Sequence, residues 1–384
     1  MNTNRCVSVI CEYNPFHFGH LYQLDFLKQR FEGIVCIMSG DIVQRGSIAV
    51  AGKYLRAEAA LRSGANLVLE LPIPWCCSSA RDFAAAGVHI ADSIGTDNLA
   101  FGAEDDLETL SSIKKVTDGA DFKNALKAKL AENRNFSYPQ AFTALLNEVL
   151  GESAAEIIKK PNNILALEYL SALENTSVLP FAVKRNFGYE SSSQIRALSD
   201  AEKILSHLPD ESKKVFASAI GGDFIRDSKK LSPFFIGNLR KIAQNGVAPK
   251  NIYSSTDDLI KKILAASLKY NTVDELVDAC ADKGYTAARV RRAVNALVFD
   301  ITADRVQKMP AYTCVLAADS KGREILRNAK QLKKIDIITK PVHAVSMGEE
   351  TKNAFGFAKG IEDIVGLSAP NPVSADCGKT PKIV

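Results

Sequence analysis

Segments of strand and helix character alternate along the first hundred residues, and that order leaves few folds open. Apolar runs over 6–11, 33–38, 67–71 and 98–101 read as strands, and stretches over 19–31, 53–63 and 78–94 read as helices. Alternation at this spacing builds a parallel sheet with helices on both faces. Such sheets take ligands on the loops beyond the carboxyl ends of their strands. From 107 to about 174 the pattern is helical, 178–183 reads as a further strand, and another helix opens around 191–196. Residues 201–306 are helical almost throughout, with breaks at Gly221-Gly222, Gly246 and Gly284. Two short strands, 313–318 and 335–339, flank a helix rich in basic residues. The expected fold class is α/β: a Rossmann-like parallel-sheet domain over 1–198, then a mostly helical domain over 199–384 with a small α/β element.

Composition narrows the class. At 46% hydrophobic and 24% charged residues the chain is globular. No uninterrupted apolar run reaches the roughly 18 residues of a membrane span. The apolar stretch after Arg5 ends at Glu12, too short for a secretion signal. The expectation is a cytoplasmic protein with no membrane association. Eight cysteines contain no C-x-x-C pair, so they read as reduced core thiols and no metal site is expected. Residues 1–200 hold 19 Lys and Arg against 23 Asp and Glu, whereas 201–384 hold 29 against 21. The basic surplus lies in the second half, where it fits a polyanionic partner or a solvated face.

The first strand ends in a histidine motif. His17, Gly19 and His20 form H-x-G-H at the start of the first helix. A helix start offers free N–H groups and a positive dipole end to phosphate. Gly19 allows close approach, and two imidazoles can donate to phosphate oxygens as charge moves onto leaving pyrophosphate. Capping of the helix by the histidines is the alternative role. No G-x-G-x-x-G follows the strand, which argues against a dinucleotide site. Gly46 to Tyr54 imitates a P-loop, with one residue too many between the glycines and Tyr54 in the magnesium-binding position. Past the second strand, Ser39, Asp41, Gln44 and Arg45 are candidates for contacts to a carboxylate or phosphate ligand at the same sheet end.

H-x-G-H after a first strand resembles the nucleotidyltransferase and class I aminoacyl-tRNA synthetase superfamily. Ser191-Ser192-Ser193-Gln194-Ile195-Arg196 is similar to that superfamily's second signature, with Ser192 and Arg196 as phosphate-holding candidates. Further segments sharpen the match: Met38-Ser39-Gly40-Asp41 through Gly46, Arg56-Ala57-Glu58, Phe101-Gly102-Ala103-Glu104, Ser137-Tyr138-Pro139, Pro161-Asn162-Asn163 and Tyr285 through Arg292. In this order, from about residue 7 to 367, they resemble the tRNA(Met) cytidine acetate ligase family. The resemblance implies an ATP-dependent ligase that forms acetyl-adenylate, releases pyrophosphate and acetylates the wobble cytidine of elongator tRNA(Met). It implies ATP contacts at Ile10, Cys11, Glu12, Tyr13, Asn14, Pro15, Phe16, His17, Phe18, Gly19 and His20, and at Gly102, Asn162 and Arg185, with His17 and His20 catalytic. The expected ligands and partners are ATP, Mg2+ accompanying it, acetate and elongator tRNA(Met), with no protein partner implied.

Arg289, Arg291 and Arg292 lie on one expected helix, and Lys321, Arg323, Lys330, Lys333 and Lys334 on the basic helix that follows. Together they are candidates for tracking an RNA backbone. The competing reading is a small-molecule adenylyltransferase, or another acetate-activating ligase without tRNA. It keeps the histidines but has no need of a basic helical half.

Overall fold

The computed structural model describes residues 5–132, 138–185, 188–246, 250–372 and 381–383. Five strands, β1 (Cys6–Cys11), β2 (Gly33–Ser39), β3 (Leu67–Leu71), β4 (Asn98–Ala103) and β5 (Leu179–Lys184), pair with one another in parallel. The second half adds β6 (Tyr312–Ala318), antiparallel to β3, with β7 (Asp336–Ile338) and β8 (Lys382–Ile383) parallel to β6. All join one sheet in the order β5-β4-β1-β2-β3-β6-β7, with β8 also on β6. The two late strands therefore extend the main sheet across the boundary at 198, where the sequence suggested an element of their own. An apolar run reveals a buried strand but not its neighbour.

Every residue of β2, β3 and β6 is buried, as strands covered on both faces require. Alternate side chains feed two cores. Val7, Val9, Cys36 and Met38 meet Leu24 and Leu27 of the first helix (Phe18–Lys28) on one face. Ile10, Val35, Ile37 and Leu69 meet the helices Ala80–Ser93 and Pro161–Leu173 on the other. Gly87 permits that contact, since a Cβ there would stand 2.5 Å from Ile10 Cδ1.

After β3 the chain recrosses the sheet and lays β4 against β1 on the side away from β2. This reversal opens a crevice beyond the carboxyl ends of β1 and β4, where open α/β sheets bind ligands. The later helices Ser232–Asn245, Asp257–Ser267, Val273–Cys280 and Ala287–Phe299 share the second core through Leu239, Ile263, Val277 and Val294.

Candidate active site

The β1 strand runs into a tightly folded loop. Tyr13 sits at φ 44°, a conformation costly for a bulky residue and concentrated at functional sites. Packing holds it there. Its ring is buried against Phe16 and His20, with centroids 4.9 and 4.8 Å away. The first helix then begins with both histidines engaged. His17 Nδ1 accepts the Gly19 N–H at 3.1 Å, and His20 Nδ1 accepts the His17 N–H at 3.3 Å. The two rings stack with centroids 3.8 Å apart. Capping and catalysis are thus compatible, because they use different ring atoms. Burial, reinforced by Arg185 and Arg196, lowers the His17 pKa to about 4. Burial, then His17 and Arg185, pushes His20 well below its ordinary value. Both rings are neutral at pH 7. With Nδ1 accepting, the single proton resides on Nε2, which leaves two neutral N–H donors.

Cations surround them. The Arg196 guanidinium donates to the Asn14 carbonyl, and its Nη2 donates to Ser193 Oγ at 3.2 Å. Ser191 caps the helix Ser192–Ala197, where its Oγ accepts the Gln194 N–H at 3.3 Å. Ser192 is half-buried at the helix start. The Arg185 N–H bonds the Ala103 carbonyl at 2.9 Å, anchoring it at the end of β4. A 360 Å3 cavity lies beside it, lined by Arg185, Gly188, Tyr189, Glu190, Ser191 and Gln194. On the β4 side, a Cβ on Gly102 would meet nothing within 4 Å. Asn162 Nδ2 donates to Glu104 at 2.6 Å. The neighbouring Asn163 is fully buried and accepts from the Glu104 N–H at 3.0 Å, so it sets the loop that Asn162 faces. Burial raises the Cys11 thiol pKa well above normal, which disfavours the thiolate that a nucleophile needs.

The second loop is knitted to the first. Glu12 accepts the Gln44 N–H at 3.0 Å, while Gln44 Nε2 donates to the Ser78 carbonyl at 2.9 Å. Arg45 is exposed. Ser39 Oγ and Asn14 Nδ2 are buried and lack a partner among the described residues.

Asp41, a candidate for an acetate or phosphate contact, is held among cations of the protein. Its carboxylate pairs with Arg226 at 3.0 Å and Arg56 at 3.6 Å and accepts the Lys53 N–H at 2.7 Å. Burial pushes its pKa up, but Arg226, Lys53 and Arg56 outweigh burial and hold it below the usual range. An anion that neutralises buried guanidinium groups has no reason to face another anion.

Arg56 was not legible as a site-shaping residue, since a cation at a helix start reads as solvent-facing. It is fully buried and donates to the carbonyls of Glu12 (2.7 Å), Ser39 (3.1 Å) and Gly40 (2.5 Å), tying both loops together. Lys53, in the P-loop imitation, is buried between Glu70 (2.8 Å) and Glu362 (2.5 Å).

The basic residues separate into two places. The helix Ala287–Phe299 docks on the second loop. Asn295 Nδ2 donates to the Gly46 carbonyl at 2.9 Å, and Gly46, at φ 78°, lies against the Arg291–Arg292 backbone. Arg289, Arg291 and Arg292 therefore stand at the sheet end that carries the histidines. Arg291 is paired with Asp274 at 3.0 Å. Lys321, Arg323, Lys330, Lys333 and Lys334 do not join them. Their helix, Ser320–Leu332, seats Gly322 on the Asn66 carbonyl ahead of β3 and Ile325 on Gly33 at the start of β2, and Lys334 pairs with Asp92. They lie where the parallel strands begin, at the opposite end of the sheet.

A parallel sheet with a reversal in strand order, a doubly capped histidine pair at that reversal and arginines around it define a nucleotidyltransferase of the H-x-G-H type. A family model described as HIGH Nucleotidyl Transferase matches residues 4–367. A tRNA(Met) cytidine acetate ligase from Caldanaerobacter subterraneus subsp. tengcongensis is 32% identical over 373 residues, covering 90% of this chain and 91% of that protein. A Syntrophomonas wolfei protein of the same name is 30% identical and covers 97% of both chains. The crystal structure of apo Thermotoga maritima TmcAL superposes with a TM-score of 0.90 over 99% of both chains at 23% identity. The form bound with alpha-thio ATP gives 0.88 at 24% identity. These two structures share the fold. The chain belongs to the tRNA(Met) cytidine acetate ligase family.

Proposed function

We propose that the protein joins acetate to the wobble cytidine of elongator tRNA(Met) in two steps at one site. The observation that carries the reading is the pair of neutral Nε2–H donors of His17 and His20 between Arg185 and Arg196. An acetate oxygen attacks the α-phosphorus of ATP, the bond to the β-phosphate oxygen breaks and pyrophosphate leaves. The two histidines donate to the leaving pyrophosphate, where negative charge grows, and the arginines balance it. Neutral donors suit this role, because they need no proton loss or gain during the step. The adenosine end lies in the open space beside Gly102, near Asn162. Acetate takes Ser39 Oγ, whose lack of a partner supports the assignment, with Arg45 as countercharge. Among the described residues no group of three or more His, Cys, Asp and Glu side chains is arranged to hold a metal ion. Magnesium arrives as part of the substrate, carried on the phosphates of ATP.

In the second step N4 of cytidine attacks the acetyl carbonyl, the bond to the AMP oxygen breaks, AMP departs and N4 loses one proton. The cytidine must leave its stack to reach the adenylate. Arg289 and Arg292 hold the RNA backbone on this side, and the Lys321–Lys334 set forms a solvated rim. No helix among the described residues is long and apolar enough to cross a membrane, and the reading places the work in the cytoplasm, with tRNA.

Purified, tRNA-free protein is expected to exchange pyrophosphate into ATP only when acetate is present. It should then transfer radiolabelled acetyl groups to N4 of the tRNA(Met) wobble cytidine. Exchange indifferent to acetate, or absent even with tRNA added, overturns the reading.

A further inference from the structure

We propose that Tyr22, with Tyr189 and Phe18, forms a stacking surface for an unpaired nucleobase of the RNA substrate beside the reacting cytidine. The proposal rests on the RNA-directed function above. Three aromatic rings stand exposed at the start of the first helix: Phe18 at 43%, Tyr189 at 40% and Tyr22 at 36%. They form one cluster. Phe18 and Tyr189 are nearly parallel, with centroids 6.4 Å apart and planes at 18°, and Tyr22 lies 6.2 Å from Tyr189. Single large apolar side chains such as Leu268 and Phe234 are exposed elsewhere, but these three rings meet one another on one patch, and a clustered apolar patch calls for an occupant.

The surroundings select the occupant. Tyr189 lines the cavity that Arg185 also lines, and its Cβ is 3.7 Å from the place a Cβ on Gly19 would occupy. Arg30 stacks over Phe26, whose ring lies 6.5 Å from Tyr22. Flat rings beside guanidinium groups suit a ligand with π-faces and phosphates, as in single-strand binding. Adenine of ATP is a poor fit. Gly102 and Asn162 belong to the side covered by Pro161–Leu173, whose Ala166, Tyr169 and Leu170 pack in one core, whereas the first helix packs Leu24 and Leu27 in the other. The aromatic cluster thus sits across the sheet from the adenosine end. A base next to the flipped cytidine would reach it with its phosphate near Arg185.

The test uses the full chain and an anticodon-arm RNA hairpin of tRNA(Met). Tyr22→Ala is expected to weaken hairpin binding about tenfold or more. Tyr22→Phe should restore it, and Tyr22→Leu, apolar but not flat, should not. Acetate-dependent pyrophosphate exchange should be unchanged in all three. Unchanged hairpin affinity in Tyr22→Ala overturns the proposal, as does rescue by leucine equal to that by phenylalanine. A raised KM for ATP with normal hairpin binding assigns the rings to adenine instead. Loss of exchange in the unsubstituted protein refutes the two-step reading while leaving hairpin binding to decide this one.

Discussion

Gly19→Ala separates stability from catalysis in this site. A Cβ at Gly19 would stand 3.0 Å from His17 Cε1 and 3.2 Å from Nδ1. Such contacts are relieved only if the imidazole shifts by a few tenths of an ångström. The ring cannot shift freely, because His20 stacks on it at 3.8 Å. Both Nε2–H donors therefore move off the position of the leaving pyrophosphate. Misplacing one preorganised donor costs about 10²-fold in rate, roughly 2.7 kcal/mol of transition-state stabilisation. Folding has the opposite bias. Alanine favours a helix over glycine by about 0.5–1 kcal/mol, which offsets the strain. The expected variant melts within a few °C of the parent and has about one-hundredth of its acetate-dependent exchange rate, with KM for ATP little changed. Thermal melting and exchange kinetics on the same preparation decide. Exchange within threefold of the parent would refute the assignment of His17 as a positioned donor. A collapse in Tm would show that the glycine serves folding alone.

Three further outcomes follow from the geometry. Asp41→Asn should destabilise the protein by about 3–5 kcal/mol in urea, because Arg226 and Arg56 are left buried beside a neutral side chain. The native Asp41 pKa is depressed, so its stabilisation is full above the unfolded value of about 3.9 and fades as pH falls below it. His17 should titrate near 4 by NMR. Its neutral form is the folded one, so stability falls as pH drops through the unfolded value of about 6.5 and levels off near 4, and a native titration near 6.5 would refute the burial argument. Arg289→Ala should weaken tRNA binding and reduce the magnitude of its salt slope by about one charge, while a combined Lys321→Ala, Lys330→Ala and Lys333→Ala change should leave both within twofold in a filter-binding assay.

Much of this was legible because the signals are local. Strand β3 falls on Leu67–Leu71 because prolines at 72 and 74 end the run, and the histidine pair is a four-residue motif at a strand end. The contacts that shape the site are not local. Asp41 and Arg226 are far apart in the chain, and so are Lys53 and Glu362. No spacing rule marks a charge as buried when its partner arrives from a distant segment of the chain. The basic helix is a related case. Its amphipathic pattern gives the face it buries, but not which end of the sheet it lies across. The aromatic cluster is not local either, because Phe18 and Tyr22 meet Tyr189 from far along the chain.

The first helix explains why its cap is histidine rather than serine or aspartate. A serine hydroxyl or an aspartate oxygen caps as well as an imidazole, but serine has no second polar atom and the other aspartate oxygen only accepts. Histidine divides the work, with Nδ1 committed to the Gly19 N–H and Nε2 left with the proton. His17→Asn should therefore keep the cap, since the asparagine side chain reaches as far as Nδ1, and lose the donor. The expected stability change is below about 1 kcal/mol, against a loss of about 10²-fold in exchange rate. His17→Gln reverses the test, because its amide reaches to Nε2 but fits the cap poorly. It should cost more stability than the asparagine variant and retain more exchange. If asparagine keeps the rate and glutamine loses it, the chemistry does not run through Nε2, and the first helix would be read as structural only.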